Sequence, residues 1–360
     1  MRLIPTSLAA LALTACVHAQ TPGDKAVLDS IDARYDETAE MARQIWDWAE
    51  VGYQEEKSSG LLQSKLNEAG FTVEAGVAGI PTAFIAEFDA LPGINQDALA
   101  SRAPIEGKHA GHACGHNLFG AGSVGAALAI RDWLEQTGTP GTVRLYGTPA
   151  EEGGSGKVYM VREGLFDDVD IALHWHGDDQ NSAAAQTTLA NRSAKFRFHG
   201  VSAHAAGAPE RGRSALDGIT SGGVAPNVVP DFAEVFYYAR HPSADGVAEI
   251  WARMEDAARG AAMGTGTRVE WEVIHGNNPL LVNETLARMM DTKLRQVGGV
   301  DYNEEEAAFA EEIYTSFARP DLPLGSENEV QPFEVSLGYG STDVGDVSFA
   351  VPTVGLRTAT

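Results

Sequence analysis

Three short stretches of this chain concentrate side chains that bind transition metals, and any fold it adopts must account for all three. The first, Gly107-Lys108-His109-Ala110-Gly111-His112-Ala113-Cys114-Gly115-His116-Asn117, opens an expected helix. Thiolate and imidazole suit borderline metals such as zinc, and interspersed glycines let the backbone bend around an ion. The second, Thr148-Pro149-Ala150-Glu151-Glu152-Gly153-Gly154, follows an expected strand and carries two adjacent carboxylates. One can bind metal while the other moves protons. The third, Asp170-Ile171-Ala172-Leu173-His174-Trp175-His176-Gly177, runs along another expected strand. Side chains repeat on a strand every second residue, so His174 and His176 share a face. Ligand sites in open α/β sheets gather at the carboxyl ends of strands. Alone, each stretch passes for a polar loop, an acidic turn or a core histidine; together they point to a metal centre.

The apolar periodicity supplies the frame. Amphipathic helices are expected over 29–51 and 55–69, strands over 71–75 and 80–88, and a loop over 92–108. A helix rich in Gly and Ala at 117–136 suits close packing under a sheet. A strand at 142–148, a turn at 153–156, a helix at 156–164 and a strand at 169–175 follow. This alternation predicts an α/β layer with a mostly parallel sheet flanked by helices. The habit changes near 190, where Ala194, Phe196 and Phe198 alternate with Lys195, Arg197 and His199. That pattern marks a half-buried strand. Strands at 232–240 and 268–275 and a helix at 245–260 complete a smaller α+β block. Helical periodicity returns at 282–297 and 303–317. The expected organisation is a leader at 1–19, a catalytic domain split between 28–189 and 278–360, and an inserted block at 190–277.

Apolar residues make up 44% of the 360, enough for a sizeable core. The formal charge of −24, from 50 acidic and 26 basic residues, argues against a nucleic-acid partner. Arg2 followed by the apolar run Leu3 to Cys16, too short to span a bilayer, predicts export to the periplasm or a membrane anchor. Leu13-Thr14-Ala15-Cys16 resembles a bacterial lipobox, with a lipid anchor on Cys16; Val17-His18-Ala19 fits ordinary cleavage instead. Cys16 and Cys114 are the two cysteines, so a disulfide framework is excluded.

In their order, Cys-Gly-His-Asn, Pro-Ala-Glu-Glu-Gly-Gly and an Asp followed six positions later by His resemble the M20 metallopeptidase family, in its amidohydrolase branch. Gly-His-Ala-Cys-Gly-His-Asn-Leu, Ala-Pro-Asn-Val-Val-Pro-Asp and Gly-Ser-Thr-Asp-Val-Gly-Asp-Val-Ser are similar to its aminobenzoyl-glutamate utilisation group. The likeness runs from about 28 to 360. It implies hydrolysis of amide bonds in N-acyl or aminobenzoyl amino acids, on an exopeptidase-like α/β fold with an inserted ferredoxin-like lid. It further implies that Cys114 bridges two divalent ions, zinc or manganese, with His116, Glu152 and His176 as further ligands. Glu151 becomes the general base, and Asp89 in Glu-Phe-Asp-Ala-Leu-Pro orients a ligand. His204, in Ser202-Ala203-His204-Ala205-Ala206, reaches the active site of a partner, in a homodimer or in a heterodimer with a related protein. Asn227 and Arg240 hold a substrate carboxylate, which a guanidinium fork suits.

Two departures modify these expectations. Family members continue through a segment whose His completes the second metal site; no His follows His275 here, so one of the two metals lacks a ligand, and the site holds one ion or uses water in that position. The run from Ala215 to Gly223 is shorter than the helix and edge strand that build the family's dimer surface. The same motifs also suit a dipeptidase or carboxypeptidase of the family, or a non-catalytic metal-binding protein.

Overall fold

The computed structural model describes residues 22–215, 227–318, 320 and 322–360. The expected leader with Cys16, and most of the shortened run after Ala215, lie outside the described residues. Among the described residues no helix is long and apolar enough to cross a membrane.

The chain opens with helices α1 (Pro22–Asp32), α2 (Tyr35–Trp48) and α3 (Glu56–Glu68). Strand pairs β1 (Leu91–Pro92) and β2 (Ala110–Gly111) precede the long helix α4 (His116–Thr137) and the short α5 (Gly156–Arg162). Then come β3 (Ala172–Asp178), β4 (Gln186–Thr187), β5 (Ala190–His199), β6 (Ala203–His204), β7 (Val228–Val229) and β8 (Phe232–His241). The order closes with α6 (Ala244–Thr265), β9 (Arg268–Asn277), α7 (Glu284–Val297), α8 (Glu304–Tyr314), β10 (Ser336–Leu337), α9 (Val344–Ala350) and β11 (Thr353–Ala359).

The α/β expectation holds. β3 and β11 pair in parallel over seven residues, from Thr353 opposite Ala172 to Ala359 opposite Asp178, and β4 pairs in parallel with β10. Helix α4 lies against α2 and α3, where Ile45, Leu62, Leu66, Phe84, Phe88 and Val124 are fully or almost fully buried. Its small residues permit this closeness: a Cβ on Gly122 would stand 2.8 Å from the Trp175 ring of β3. A second core joins α5 and α9 through Met160, Phe166, Val347 and Val351.

Three expectations need correction. The single helix over 29–51 is two helices. The chain bends at Arg34, whose guanidinium reaches Asp132 of α4 at 2.5 Å, so both segments follow the surface of α4. The strands expected at 71–75, 80–88 and 142–148 lie side by side without a regular ladder: Ala75 bridges Phe84 and Phe84 bridges Gly147, with further backbone hydrogen bonds from Ile85 to Glu74 and from Thr148 to Ala86. Gly76 and Gly79 both take φ of +72° around a 3₁₀ turn, which interrupts a regular hairpin there. The strand expected at 169–175 is β3, three residues later, so His176 sits within the strand, where the β11 partner extends the pairing past it.

The block that begins at β5 is a three-stranded antiparallel sheet, order β8-β5-β9, covered by α6. Its core of Ala194, Phe196, Phe198, Val247 and Trp251 draws on this block alone. Phe196 and Phe198 point inward while Lys195 and Arg197 carry the wet face, as their alternation predicts.

A candidate metal centre

The three ligand-rich stretches converge. Gly115, with φ of +78°, turns the chain left-handed between Cys114 and the first residue of α4, so both neighbouring side chains face one point. Cys114 Sγ lies 3.6 Å from His176 Nε2. Bonds of about 2.3 Å to sulfur and about 2.1 Å to nitrogen at a tetrahedral ion set that separation at about 3.6 Å. The ligand atoms of Cys114, His116 and His176 all lie within 4.8 Å of one another, as do those of Glu87, His116 and Glu151. His116 Nε2 is 4.0 Å from Glu151 Oε2 and 4.0 Å from Glu152 Oε1. Two metal bonds span at most about 4.2 Å.

The outer contacts free the right atoms. His116 donates from Nδ1 to Asp89 Oδ1 at 3.0 Å, and His176 donates from Nδ1 to the Gly177 carbonyl. Both imidazoles are thereby left with Nε2 toward the cluster, a common arrangement for histidine ligands. Glu152 Oε1 is buried with no hydrogen-bond partner, an acceptor aimed into the same space. The Phe119 ring packs against the imidazoles of His116 and His176, with centroids 5.0 and 4.7 Å away, and shields them from water. The donor set fits a thiophilic divalent ion.

The two glutamates ride on a strained turn. Ala150 and Ser155, at φ of +59° and +56°, flank it in left-handed conformations that cost non-glycine residues free energy. Hydrogen bonds from several directions hold it there. Ala150 N–H donates to Glu55, Glu152 N–H to Asp89 Oδ2, and the Tyr53 hydroxyl to the Gly154 carbonyl. Burial raises the Glu151 carboxyl well above its usual range; Glu87 and Asp343 push the same way, against Lys157 and His116. Burial likewise raises Glu152 and the Cys114 thiol, and lowers His176. Burial works against protonated His116, but its bonds to Asp89 and Cys114 and the nearby Glu87 hold it well above the usual value.

A buried ion cluster adjoins the centre. Lys157, on the first turn of α5, contacts Glu87 at 2.7 Å and Asp343 at 2.6 Å. Burial alone would raise Glu87, yet Lys157 and His116 hold it down at about 2. Sequence reasoning missed all three. Glu87 was legible, since it lies two residues before Asp89 on an extended segment and so shares its face. Asp343 lies within the Gly-Ser-Thr-Asp motif, but nothing local pairs it with Lys157.

The remaining predicted residues stand apart. His204 is exposed on β6 and accepts from the Ala206 and Gly207 amides; among the described residues no contact joins it to the cluster. Asn227 is exposed, and its carbonyl accepts from Ala205 N–H. Arg240 is exposed on β8, stacks its guanidinium 5.3 Å from the Tyr238 ring, and makes no ion pair among the described residues. His174, the alternative to His176, is turned against Gly355 with a buried, unpartnered Nε2.

This fold and this centre are those of a metal-dependent hydrolase acting on C–N bonds. The chain belongs to peptidase family M20/M25/M40, whose pattern matches residues 83–319. It is 39% identical over 388 aligned positions to one of the p-aminobenzoyl-glutamate hydrolase subunits of Escherichia coli (strain K12), covering 90% of this chain and 81% of that one. It is 28% identical to the Xaa-Arg dipeptidase of Mus musculus, covering 89% and 77% of the two. Its fold is similar to that of the aminobenzoyl-glutamate utilization protein from Klebsiella pneumoniae, with a TM-score of 0.59, 18% identity and 93% of each chain covered.

Proposed function

We propose that this chain hydrolyses the amide bond of an N-acyl or aminobenzoyl amino acid, with p-aminobenzoyl-glutamate as the first substrate to try. The observation that carries this reading is the meeting of Cys114, His116 and His176 beside Glu151 and Glu152. The similarity to a hydrolase named for p-aminobenzoyl-glutamate supports the substrate class.

Cys114, His116, Glu152 and His176 hold the metal, zinc or manganese. A second candidate group, Glu87, His116 and Glu151, adjoins the first and shares His116 with it. Bound divalent cations acidify a water molecule and polarise the amide carbonyl. Glu151, its carboxyl raised by burial, takes the proton of the attacking water and returns it to the leaving nitrogen. Asp89 keeps His116 in its ligating tautomer. The guanidinium of Arg240, which makes no ion pair among the described residues, grips with Asn227 the carboxylate of the amino-acid half. Residues 190–277 act as the lid, and His204 serves the oxyanion in the site of a partner chain. A related protein as partner in a heterodimer accords with the relative's being named as a subunit. The expected leader with Cys16 supports a location outside the cytoplasm, free or lipid-anchored.

The test is turnover of the full chain supplied with Zn²⁺ or Mn²⁺, read as release of free amino acid. The panel comprises p-aminobenzoyl-glutamate, N-acyl amino acids and Xaa-Arg dipeptides. Absence of metal-dependent release across the panel overturns the reading, and release from the dipeptides alone moves it to a dipeptidase. Glu151→Gln keeps its metal content and loses about 10²–10⁴-fold in kcat; retained turnover removes Glu151 from its role.

A further inference from the structure

The junction between the catalytic layer and the antiparallel sheet contains a buried hydrogen-bonded chain that the mechanism above does not use. Tyr238 on β8, Ser193 on β5 and His275 on β9 occupy one row across the sheet. Tyr238 Oη lies 2.9 Å from His275 Nε2, and His275 Nδ1 lies 2.9 Å from Ser155 Oγ. The Ser155 hydroxyl donates to Asn277 Oδ1 at 3.1 Å. That assignment fixes the rest. With its single proton committed to Asn277, Ser155 accepts from His275 Nδ1–H, and the Tyr238 hydroxyl donates to Nε2. Ser155, His275 and Asn277 are each at least nine-tenths buried, so the links among them form away from competing water, while Tyr238 stands at the exposed end of the chain.

The chain ends on the turn that carries the two glutamates. Ser155 lies three residues beyond Glu152 and holds its left-handed conformation at the start of α5. At the other end, the Tyr238 hydroxyl stands 3.4 Å from where a Cβ on Gly153 would sit. Both ends of one Tyr–His–Ser chain therefore abut the segment 153–155. A strained conformation persists only where its surroundings over-determine it, and here the far side of the restraint comes from a different layer of the molecule. His275 and Asn277 close β9, and β5 opens at Ala190, so the restraint sits where the chain enters and leaves the lid.

We infer that Tyr238 is a positioning residue: through His275 and Ser155 it sets the Glu151–Glu152 turn against the lid, so that the general base is held in register with the metal ligands only when lid and catalytic layer are seated together. The catalytic half of this inference rests on the reading of Glu151 above; the structural half does not.

The experiment compares the full metal-loaded chain with Tyr238→Phe, Ser155→Ala and the double variant. Amide hydrogen exchange of the peptide spanning 150–156 is followed, together with kcat and KM on p-aminobenzoyl-glutamate. The turn amides of Gly154 and Ser155, both bonded to the Ala150 carbonyl, are the reporters. Each single variant speeds their exchange and lowers kcat about 10–100-fold with KM nearly unchanged, as a displaced catalytic group does. The double variant is no worse than the worse single one, because both cut the same chain. Metal content stays at the unmodified level. Exchange and kcat unchanged in Tyr238→Phe overturn the inference, as does strict additivity. If the unmodified chain turns over no substrate, the functional reading is what fails, and the exchange arm still decides whether Tyr238 holds the turn. Should Ser155→Ala fold poorly, Tyr238→Phe, on a partly exposed side chain, decides alone.

Discussion

Asp89 serves two of the three ligand-rich stretches at once. Its Oδ1 accepts from His116 Nδ1 and its Oδ2 accepts from the Glu152 amide, and the side chain is 1% exposed. Both partners are donors, so only a carboxylate satisfies them together. In Asp89→Asn one donor faces an amide NH₂, and either the imidazole turns or the glutamate turn shifts. Metal affinity falls about 10–100-fold, as it does when the outer partner of a ligand is lost. A competition titration against a chromophoric chelator measures this; an unchanged affinity assigns Asp89 to the fold alone. The contact with His116 accords with what the family resemblance implies for the Asp of the Glu-Phe-Asp motif. Lys157 was not legible in the sequence, because a lone lysine near a helix start is ordinarily solvated. Its burial between Glu87 and Asp343, which is 186 positions away in sequence, exists only once the layers have packed.

Among the elements, α4 sets the depth of the centre. Its first residue is the candidate ligand His116, and further along the same helix Gly122 lies under Trp175, the neighbour of His176 on β3. A methyl group in Gly122→Ala meets the Trp175 ring at 2.8 Å. The indole must shift, loosening its hydrogen bond to Ser123 and moving β3. Such overpacking costs about 1–3 kcal/mol. The expected outcome is a lower Tm together with weaker metal binding, while Gly60→Ala, where a Cβ meets nothing within 4 Å, leaves the centre intact. Equal metal affinity in the two variants refutes the link between α4 and β3. Helices such as α4, α6 and α7 were legible to within a few residues, since their hydrogen bonds are local and their apolar stripe repeats along the chain. Extended segments such as 71–75 and 142–148 were legible as extended but not as paired, because a strand's partners lie elsewhere in sequence.

The whole molecule adds a pH dependence. Burial raises the Glu55 carboxyl from the usual 4.5 to about 7, and Asp89 adds to it, against the hydrogen bonds from Thr82 and Ala150. The folded chain therefore binds this proton more tightly than the unfolded chain does. Its contribution to stability is full below about pH 4.5, declines as pH rises from there, and is lost above about 7. Glu55→Gln keeps an oxygen for the Ala150 amide and removes the titration, so it flattens that part of the profile. Unfolding followed from about pH 4.5 to about pH 8 at fixed metal concentration checks this; an unaltered slope rules out Glu55 as its source. The packing around Glu55 ties α3, the Thr82 segment and the catalytic turn together, and a decline in stability there reaches the centre directly.

From the amino-acid order alone came the ligand-type residues, the change of habit near residue 190 and the family, because side-chain chemistry, periodicity and motif are properties of neighbours in the chain. Folding alone decided which atoms meet: the 3.6 Å approach of Cys114 to His176, the Lys157 ion cluster, and the Tyr238–His275–Ser155 chain. These depend on β3 pairing with β11 and on β8 and β9 flanking β5. Such contacts join residues that no local pattern relates, and the free energy that selects them is the burial of whole faces rather than the preference of any one segment.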